Sequence, residues 1–360
     1  MPIGNTKIID LDAHLVGDVA HWDEFIEEEW KSYLPQRLPV REGERQCTLV
    51  GNEIMWGAEL RGQARRPEWA GPEDYTAEGR GRNLDKDGID IAVLSPNSPA
   101  LDLVWFPRDP VLAAAYCRTQ NNYMAHFASQ YPERLTWAGV IPFQDREEAI
   151  KELNRIAAMG SKGLNMKAVP VNGREWSDPY YDPVWAELER LRLPLIFHDT
   201  RVGSLGLERF HENFFFAHMV GRVLETMVCA MVFICGGPLE KHPDLKAIAL
   251  ETGASQMPWW LGRMDEHHEK LGHLVPWLKR RPSEIFKEQV YVGCEPFEDP
   301  LFEWAVETLG DDNMVLATDQ PHWDSIAAGG ALKPILESQR LSESTKRKIL
   351  GGNAAALVGR

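Results

Sequence analysis

Short runs of apolar residues recur along the chain, and segments with helical periodicity lie between most of them. The runs are rich in Val, Ile, Leu and Ala, with few polar positions in their interiors. Near-continuous apolar runs of this length are typical of strands buried on both faces of a parallel sheet. Eight runs are predicted to be strands: residues 7–14, 91–98, 135–143, 162–169, 193–200, 245–253, 289–296 and 313–320.

The segments between the runs carry helix start and stop signals. An acid precedes a proline at Asp109, Asp182 and Asp299, which predicts an N-cap followed by proline at the first helical position. The segment REEAIKELNRIAAMG has a 3.6-residue apolar period and ends at Gly160, which predicts a helix closed by glycine. Eight strand–helix units predict an α/β fold, a (β/α)8 TIM barrel. A doubly wound parallel sheet is the alternative layout.

Residues 36–82 interrupt the alternation of predicted strands and helices. They are rich in Arg, Glu and Gly, and the stretch CTLVGNEIMW predicts a small hairpin that turns at Gly51 and Asn52. We interpret this stretch as an insertion after strand 1 that caps the barrel mouth, within one barrel domain of residues 1–360. A surface excursion without function is the alternative.

Composition narrows the possible partners. The net charge of −15 argues against nucleic acid and anionic membranes, which attract basic surfaces. No uninterrupted run of 18 apolar residues occurs, and the N-terminus continues directly into polar residues. The five cysteines are scattered and form no C-x-x-C pair, which suits a reduced cytoplasm. We therefore expect a cytoplasmic protein that acts on a small molecule.

The first predicted strand contains an unusual set of polar residues. In KIIDLDAHLVGD, Asp10, Asp12 and His14 occupy every second position, which in a regular strand places all three on one face. Two carboxylates and an imidazole on a buried face are costly unless they meet water, each other or a cation. The pattern therefore indicates a polar site at the end of this strand.

The carboxyl ends of the strands form the active-site face of a (β/α)8 barrel. In this sequence those ends carry polar side chains: Asp12, His14, Lys167, His198, Glu251, Glu295 and Asp319. Carboxylate oxygens and imidazole nitrogens without thiolates suit one divalent cation, with Zn expected first and Mn, Fe or Mg as alternatives. A lone histidine at a strand end is usually only hydrogen-bonded, so the joint pattern over strands one, five and eight is the signal.

Two further histidines are candidates for the site. His322 follows Asp319 by three residues, and we expect it to line the mouth and orient that acid, with a packing role as the alternative. His218 begins an apolar helix and can enter the site from the loop after strand five, with a capping or core role as the alternative.

Two common hydrolase patterns are absent from the sequence. His268 and His273 are five residues apart, whereas the zincin motif needs histidines at i and i+4 on one helix face. No serine lies in a G-x-S-x-G elbow, which argues against a serine hydrolase.

Several segments together resemble one known family. They are IIDLDAH, IFHDT, GGPLEKHPDLKAIALETGASQMPWWLGRMDEH, RRPSEIFKEQVYVGCEP and ATDQPHWDS followed by KILGGNAAALV. These segments resemble the amidohydrolase-2 branch of the amidohydrolase superfamily, related to aminocarboxymuconate-semialdehyde decarboxylase and γ-resorcylate decarboxylase. The resemblance runs from about residue 7 to the C-terminus, apart from the insertion.

The resemblance implies a distorted (β/α)8 barrel with one divalent metal ion. The metal ligands of the family fall on Asp12, His14, His198 and Asp319. The decarboxylases of the family carry a catalytic histidine at the end of strand six, where this sequence has Glu251. Family members often form dimers or tetramers, so a homo-oligomer is expected.

We expect a metal-dependent nonoxidative decarboxylase of a small carboxylated aromatic or unsaturated ring. Asp319 is the expected proton carrier, and Glu251, His218 and His322 are the other catalytic candidates. Lys167 and Glu295 are the candidates for contacts with substrate. The alternatives are a metal-dependent hydrolase of a C–C, ester or amide bond, a hydratase with the same site, or a metal-free barrel with a binding or scaffold role.

Overall fold

Eight parallel strands form one sheet, and each lies within one of the eight predicted runs. The computed structural model describes residues 4, 6–39, 47–56, 75–198, 214–295, 298, 301–322, 325–326 and 329–359. The strands are β1 (Ile9–His14), β5 (Ile91–Ser95), β6 (Leu135–Trp137), β7 (Leu164–Lys167), β8 (Leu195–His198), β9 (Ala247–Ala249), β10 (Val290–Cys294) and β11 (Met314–Leu316).

The sheet curves until its two end strands approach each other. Its strand order is β6-β5-β1-β11-β10-β9-β8-β7. Beyond the end of β6, Gly139 forms a single parallel bridge with Leu164 of β7. Its N–H donates to the Gly163 carbonyl at 3.0 Å, and its carbonyl accepts from the Asn165 N–H at 2.8 Å. The predicted distorted (β/α)8 barrel is confirmed, and the doubly wound alternative is wrong.

Helices surround the sheet. They are α1 (Trp22–Phe25), α2 (Ala77–Asp87), α3 (Ser98–Trp105), α4 (Pro110–Ser129), α5 (Arg146–Ala158), α6 (Asp182–Leu191), α7 (Phe214–Cys235), α8 (Pro238–Lys241), α9 (Met257–Leu271), α10 (Pro282–Gln289), α11 (Leu301–Leu309), α12 (Lys333–Glu337), α13 (Glu343–Arg347) and α14 (Asn353–Val358). A π-helical segment, Lys348–Gly352, joins the last two. Short 3-10 segments cover Asp18–His21, Glu28–Tyr33, Val171–Gly173, Pro179–Tyr181 and Gly272–Leu274.

The predicted helix ends are largely those observed. Asp109 caps α4 by accepting from the Val111 N–H at 2.9 Å. The predicted helix at 146–160 is α5, and Gly160 follows it with a left-handed φ of 90°. Asp182 differs from the prediction, because it is the first residue of α6 and Tyr181 takes the N-cap position. The predicted cap Asp299 lies outside the described residues.

The insertion contains the predicted hairpin. Strands β3 (Cys47–Val50) and β4 (Glu53–Trp56) pair antiparallel and turn at Gly51 and Asn52, and β2 (Gln36–Leu38) adds a third strand. Gly51 has a φ of 60°, which glycine adopts at low cost. Residues 40–46 and 57–74 of the predicted insertion lie outside the described residues. Its capping role and the single-domain organisation stay predictions.

Helix α7 is the most apolar helix of the described chain. The span His218–Lys241, which includes most of α7 together with α8, is long and apolar enough to cross a membrane by length and composition. However, 53% of its most apolar 18-residue stretch is buried inside the protein. Helix α7 packs against β8 and α9. Such a helix is typical of the core of a folded domain.

Candidate metal centre

A register shift in β1 directs its last polar residues into the barrel. Asp10 lies opposite Ala92 of β5, and Ala13 lies opposite Leu94. Between these two pairs β1 therefore contains one residue more than β5. An extra residue of this kind, as in a β-bulge, re-aims the side chains that follow it. The apolar residues show the change, because Leu11 packs in the inner cluster with other strands and Ala13 packs in the outer cluster with the helices.

Asp10 is therefore separated from Asp12 and His14, contrary to the single face that regular alternation predicts. The Asp10 carboxylate accepts from the Thr318 hydroxyl at 2.6 Å and from the Thr318 N–H at 3.1 Å. It also accepts from the Asp12 N–H at 3.1 Å. Burial is the largest cause that raises the pKa of Asp10 to about 7. Asp10 thus fastens β1 to the segment after β11 instead of facing the site.

Four of the predicted site residues converge at the carboxyl end of the barrel. His14 Nε2 lies 3.2 Å from Asp12 Oδ1, 3.0 Å from Asp319 Oδ1 and 3.1 Å from His198 Nε2. His198 Nε2 lies 3.5 Å from Asp12 Oδ1. All four side chains are buried. Two imidazole nitrogens and two carboxylate oxygens from β1, β8 and the segment after β11 thus surround one point.

The cluster contains carboxylate oxygens that lack hydrogen bonds from the described part of the chain and that a cation could bind. Among the described residues, no hydrogen bond of normal geometry reaches either carboxylate oxygen of Asp12 or Oδ1 of Asp319. Buried carboxylates without hydrogen bonds are costly unless a positive charge compensates them. Two nitrogen and two oxygen ligands suit Zn²⁺ or another divalent cation of intermediate hardness. The residues present therefore fit one divalent metal ion.

The charges of the cluster members stabilise one another. Burial alone would raise the pKa of Asp319, but the charges of His322 and His14 outweigh it and hold that pKa well below its usual range. Burial likewise opposes the charge on His14, yet contacts with Asp12 and Asp319 raise its pKa well above the ordinary value. The pKa of Asp12 is lowered despite burial because His14 and His198 contact its carboxylate. The metal-free cluster thus pairs ionised carboxylates with protonated histidines, and a bound cation would replace the protons of the histidines.

On both His14 and His198 the ring nitrogen that faces away from the cluster, Nδ1, lies near an oxygen atom. His14 Nδ1 lies 3.3 Å from the Pro96 carbonyl oxygen, and His198 Nδ1 lies 3.6 Å from Glu251 Oε2. The Pro96 carbonyl is within hydrogen-bond distance of His14, whereas the Glu251 carboxylate lies just beyond that distance and acts on His198 through its charge. In this arrangement Nε2 is the nitrogen that both histidines turn toward the cluster.

His322 and Glu251 complete the mouth of the site. His322 Nδ1 lies 2.6 Å from Asp319 Oδ1 and 3.8 Å from Glu251 Oε1. Its ring stacks on that of His14 with centroids 4.1 Å apart. Glu251 and Asp319 have left-handed φ values of 52° and 55°, which non-glycine residues rarely adopt. Backbone strain of this kind is concentrated at functional sites.

The remaining predicted residues lie at different distances from the cluster. Lys167 pairs in register with His198 on the neighbouring strand, and its Nζ lies 3.5 Å from Asp102 Oδ1 of α3. Glu295 is buried, and its Oε1 accepts from the Gly253 N–H at 2.9 Å. Burial, followed by the charges of Glu298 and Asp12, raises the pKa of Glu295 well above its ordinary value. Glu295 thus contacts backbone in this structure.

His218 lies in the first turns of α7. The two groups of potential metal ligands among the described residues are His14, Glu251, Asp319 and His322, and Asp12, His14 and His198. His218 belongs to neither group. Its catalytic role stays a prediction.

Sequence reasoning missed two residues that support the site. Asp10 belongs to the D-x-D-x-H pattern, but its role cannot be seen in the sequence. Regular alternation puts it on the face of Asp12 and His14, and only the structure shows the register shift that separates them. Glu298 accepts N–H groups from the segment that follows Glu251. The spacing of Glu295 and Glu298 by three residues was its only signal in the sequence.

Similarity to known proteins agrees with this geometry. A sequence profile of the amidohydrolase family matches residues 9–360. A 2-amino-3-carboxymuconate-6-semialdehyde decarboxylase of Dictyostelium discoideum is 28% identical over 283 residues, which cover 77% of this chain and 75% of that protein. A gamma-resorcylate decarboxylase of Polaromonas sp. strain JS666 is 26% identical over 300 residues, which cover 77% of this chain and 86% of that protein.

Comparison with a solved structure shows that the similarity in fold covers almost the whole chain. A dihydroxybenzoic acid decarboxylase of Polaromonas sp. JS666, with bound manganese and the inhibitor 2-nitroresorcinol, has a TM-score of 0.71 at 22% identity over 98% of this chain and 97% of that chain. At this identity the likeness shows the fold. The family profile spans nearly all of the chain, and the relationship expected from the motifs is confirmed. The chain is therefore an enzyme that belongs to the amidohydrolase family.

Proposed function

We propose that this enzyme is a metal-dependent nonoxidative decarboxylase of a small carboxylated aromatic or unsaturated ring. The observation that carries the proposal is the cluster of Asp12, His14, His198 and Asp319, in which Asp319 also contacts His322. In this arrangement four potential ligands of a cation lie beside a group that can carry a proton. Both relatives described above are decarboxylases by name, which supports the same chemistry here.

Asp12, His14, His198 and Asp319 would hold the metal ion. A divalent cation bound there would supply the positive charge that fixes a substrate carboxylate and stabilises negative charge developing on the ring. Zinc is the metal we propose first, since the two imidazoles and two carboxylates form a suitable ligand set. Manganese is the strongest alternative, because the Polaromonas decarboxylase contains it.

Asp319 and His322 would move the proton. Oδ1 of Asp319 and Nδ1 of His322 are 2.6 Å apart, close enough for a proton to pass between them once a small rotation of either side chain aligns the two atoms. The reaction breaks the bond between the ring carbon and the carboxylate, leaves the electron pair on the ring carbon and replaces CO2 with a proton. Asp319 would deliver that proton, and His322 would supply it to Asp319. Glu251, near both His322 and His198, would hold these rings in place.

Lys167 would meet the substrate carboxylate. The acidic side chains of the site repel a carboxylate unless cations compensate, and Lys167 lies one strand from His198. Its contact with Asp102 is long, at 3.5 Å, and the two side chains are 20% and 21% exposed. A lysine so loosely paired can exchange partners when an anion enters. Substrate contact by Glu295, whose Oε1 accepts from the Gly253 N–H, stays a prediction.

We also propose a cytoplasmic homo-oligomer. The cysteines are free, as in a reducing compartment. Large apolar side chains are exposed on the adjacent helices α7, α9 and α11: Phe215 at 66%, Met219 at 53%, Trp259 at 58%, Leu301 at 58% and Trp304 at 45%. Exposed apolar surface of this kind marks association sites. A monomer by light scattering at micromolar concentration would contradict this part of the proposal.

Substrate screening with CO2 detection tests the function. Protein purified with its metal would be incubated with hydroxylated benzoates and other carboxylated rings, beside a panel of esters and amides. We expect CO2 release from at least one carboxylated ring, with one metal ion per chain by elemental analysis. Turnover of esters or amides without CO2 would favour hydrolysis by the same residues. Metal content far below one ion per chain would contradict both the decarboxylase and the metal-dependent hydrolase.

A further inference from the structure

The loop between β9 and α9 holds Glu251 in an unusual conformation. Glu251 has a φ of 52°, and the carboxylate lies 3.6 Å from His198 Nδ1 and 3.8 Å from His322 Nδ1. A non-glycine residue keeps a left-handed backbone only when its surroundings impose it. The neighbours of the loop should therefore contain the groups that impose this conformation.

Two buried glutamates from the segment after β10 bind the backbone of this loop. Glu295 Oε1 accepts from the Gly253 N–H at 2.9 Å. Glu298 Oε2 accepts from the Ala254 N–H at 2.9 Å, and Glu298 Oε1 accepts from the Ser255 N–H at 3.0 Å. Three consecutive N–H groups thus donate to carboxylates. Glu298 is 7% exposed and Glu295 is 4% exposed, so water competes little for these bonds.

The fit between Glu298 and the loop is close. Gly253 has a φ of 69°, and a Cβ atom added there would lie 2.3 Å from Glu298 Oε1. Only glycine avoids both the backbone strain and this collision. The position of the Glu298 carboxylate and the path of the loop therefore depend on each other.

The hydrogen bonds require a carboxylate at position 298. Its Oε1 accepts one backbone N–H, and its Oε2 accepts those of Ala254 and, at 3.3 Å, Glu295. A glutamine of the same shape would present an NH2 group to at least one N–H donor. Substitution by glutamine therefore breaks at least one of these contacts while it preserves volume.

We propose that Glu298 is a positioning residue that acts on the metal site through Glu251. Glu298 fixes residues 253–255, and these fix the backbone of Glu251. The charge of the Glu251 carboxylate, 3.6 Å from Nδ1 of His198, then orients that ring so that Nε2 faces the cluster. A carboxylate behind a ligand histidine controls its tautomer and its metal affinity. The step from His198 to metal rests on the proposed function, whereas the step from Glu298 to His198 does not.

The test compares Glu298→Gln with Glu240→Gln. Glu240 on α8 is a matched control, since its Oε2 accepts the N–H groups of Lys279 at 3.3 Å and Arg280 at 3.2 Å before β10 begins. Affinities for Zn²⁺ and Mn²⁺ would be measured by chelator competition, together with the melting temperatures of metal-free protein. We expect E298Q to weaken metal binding by about 10- to 100-fold. E240Q should lower the melting temperature while its metal affinity stays within about twofold of wild type.

A second readout does not depend on metal. The 15N shifts of the His198 ring in metal-free protein, recorded at a pH high enough for the ring to be neutral, report which nitrogen carries the proton. We expect one tautomer, protonated at Nδ1, in wild type and E240Q, and a mixture in E298Q. If wild type binds neither metal, the proposed function fails, while an altered His198 tautomer in E298Q still supports the positioning role.

Gly253→Ala provides a variant at the other side of the same contact. Its Cβ would displace the Glu298 carboxylate, so G253A should weaken metal binding and change the His198 shifts as E298Q does. The double variant should show little additional loss, because both changes remove one interaction. Wild-type metal affinity and wild-type His198 shifts in folded E298Q would overturn the proposal. Equal losses of affinity in E298Q and E240Q would overturn it as well.

Discussion

Residues that are costly to bury lie together where a cation can compensate them. Asp12 and His198 are almost fully buried, and the described residues donate no hydrogen bond to the Asp12 carboxylate. Apolar residues in place of the whole cluster would commonly leave stability unchanged or improve it, whereas removal of one member destabilises the fold because the charges of its partners stay buried and unpaired. The presence of these residues at the barrel mouth is therefore explained by function. Single substitutions in this cluster should abolish activity and also lower the melting temperature.

Asp319→Asn tests the proton carrier. The amide keeps the shape of the side chain but cannot carry the proton, so we expect the turnover number to fall by about 10²- to 10⁴-fold. The variant should remain folded but melt at a lower temperature, because the change leaves the charges of His14 and His322 without this carboxylate partner. Asp312→Asn on the exposed surface is the control. Near-normal turnover by D319N would assign the proton to another group.

Lys167→Met tests the contact with substrate. Methionine preserves the apolar part of the side chain and removes the ammonium group, so we expect KM for a carboxylated substrate to rise by at least about tenfold. Lys246→Met is the control, because the Lys246 Nζ donates to the Glu288 carbonyl ahead of β10, away from the strand ends that carry the site. A KM unchanged by K167M would make Lys167 part of the scaffold only.

The sequence indicated the four cluster residues but could not show how the backbone aims them. Alternation identified Asp12 and His14, and the family motifs identified His198 and Asp319. Alternation also grouped Asp10 with them, and the register shift in β1 corrects that grouping. Glu298 was missed because its partners are backbone N–H groups of a loop, which leave no pattern in side-chain chemistry.

Two of the site residues lie beyond the ends of the strands that lead to them. The predicted run 313–320 corresponds to β11, which ends at Leu316, and the run 245–253 corresponds to β9, which ends at Ala249. Asp319 and Glu251 therefore lie on the segments that follow, held by hydrogen bonds instead of sheet pairing. Apolar pattern cannot separate a buried strand from the buried segment after it, which explains the longer predictions.

Asp87 at the end of α2 holds the segment after β11. Its carboxylate accepts from Gln320 Nε2 at 2.9 Å, from the Gly329 N–H at 2.6 Å and from the Ala331 N–H at 3.3 Å. Loss of these bonds in Asp87→Ala should cost about 1–3 kcal/mol of unfolding free energy and lower the turnover number, since His322 lies on that segment.

The control for Asp87→Ala lies on the same helix. Asp85 is an exposed acid that pairs with Arg134 at 2.9 Å, and Asp85→Ala should change stability by less than about 1 kcal/mol. Both variants would be compared by urea denaturation and by turnover with the identified substrate. Equal behaviour of the two variants would show that the segment does not need Asp87.

The barrel as a whole explains why distant residues form one site. Strands β1, β8 and β11 bring together residues near positions 12, 198 and 319, because parallel strands place all their carboxyl ends on one face. Strand–helix alternation predicted this architecture. The single Gly139–Leu164 bridge between the end strands could not be predicted, because pairing between edge strands depends on the curvature of the complete sheet.

The pH dependence of stability provides a prediction for the whole fold. Burial raises the pKa of Asp18 to about 7, so native Asp18 binds a proton at pH values where the unfolded chain does not. The free energy of unfolding should therefore fall as pH rises from about 4 to 7. In Asp18→Asn this contribution is absent, so the decrease between about pH 5.5 and 7 should be smaller by about 2 kcal/mol. Parallel pH profiles for the two proteins would contradict the raised pKa.

Anomalous diffraction from crystals equilibrated with Mn²⁺ tests the cation site without reference to substrate. One strong anomalous peak should lie about 2.0–2.2 Å from nitrogen or oxygen atoms of Asp12, His14, His198 and Asp319. The peak should disappear in His198→Ala crystals prepared in the same way. Absence of a peak among these four residues at millimolar Mn²⁺, or a peak bound only elsewhere, would contradict the metal centre.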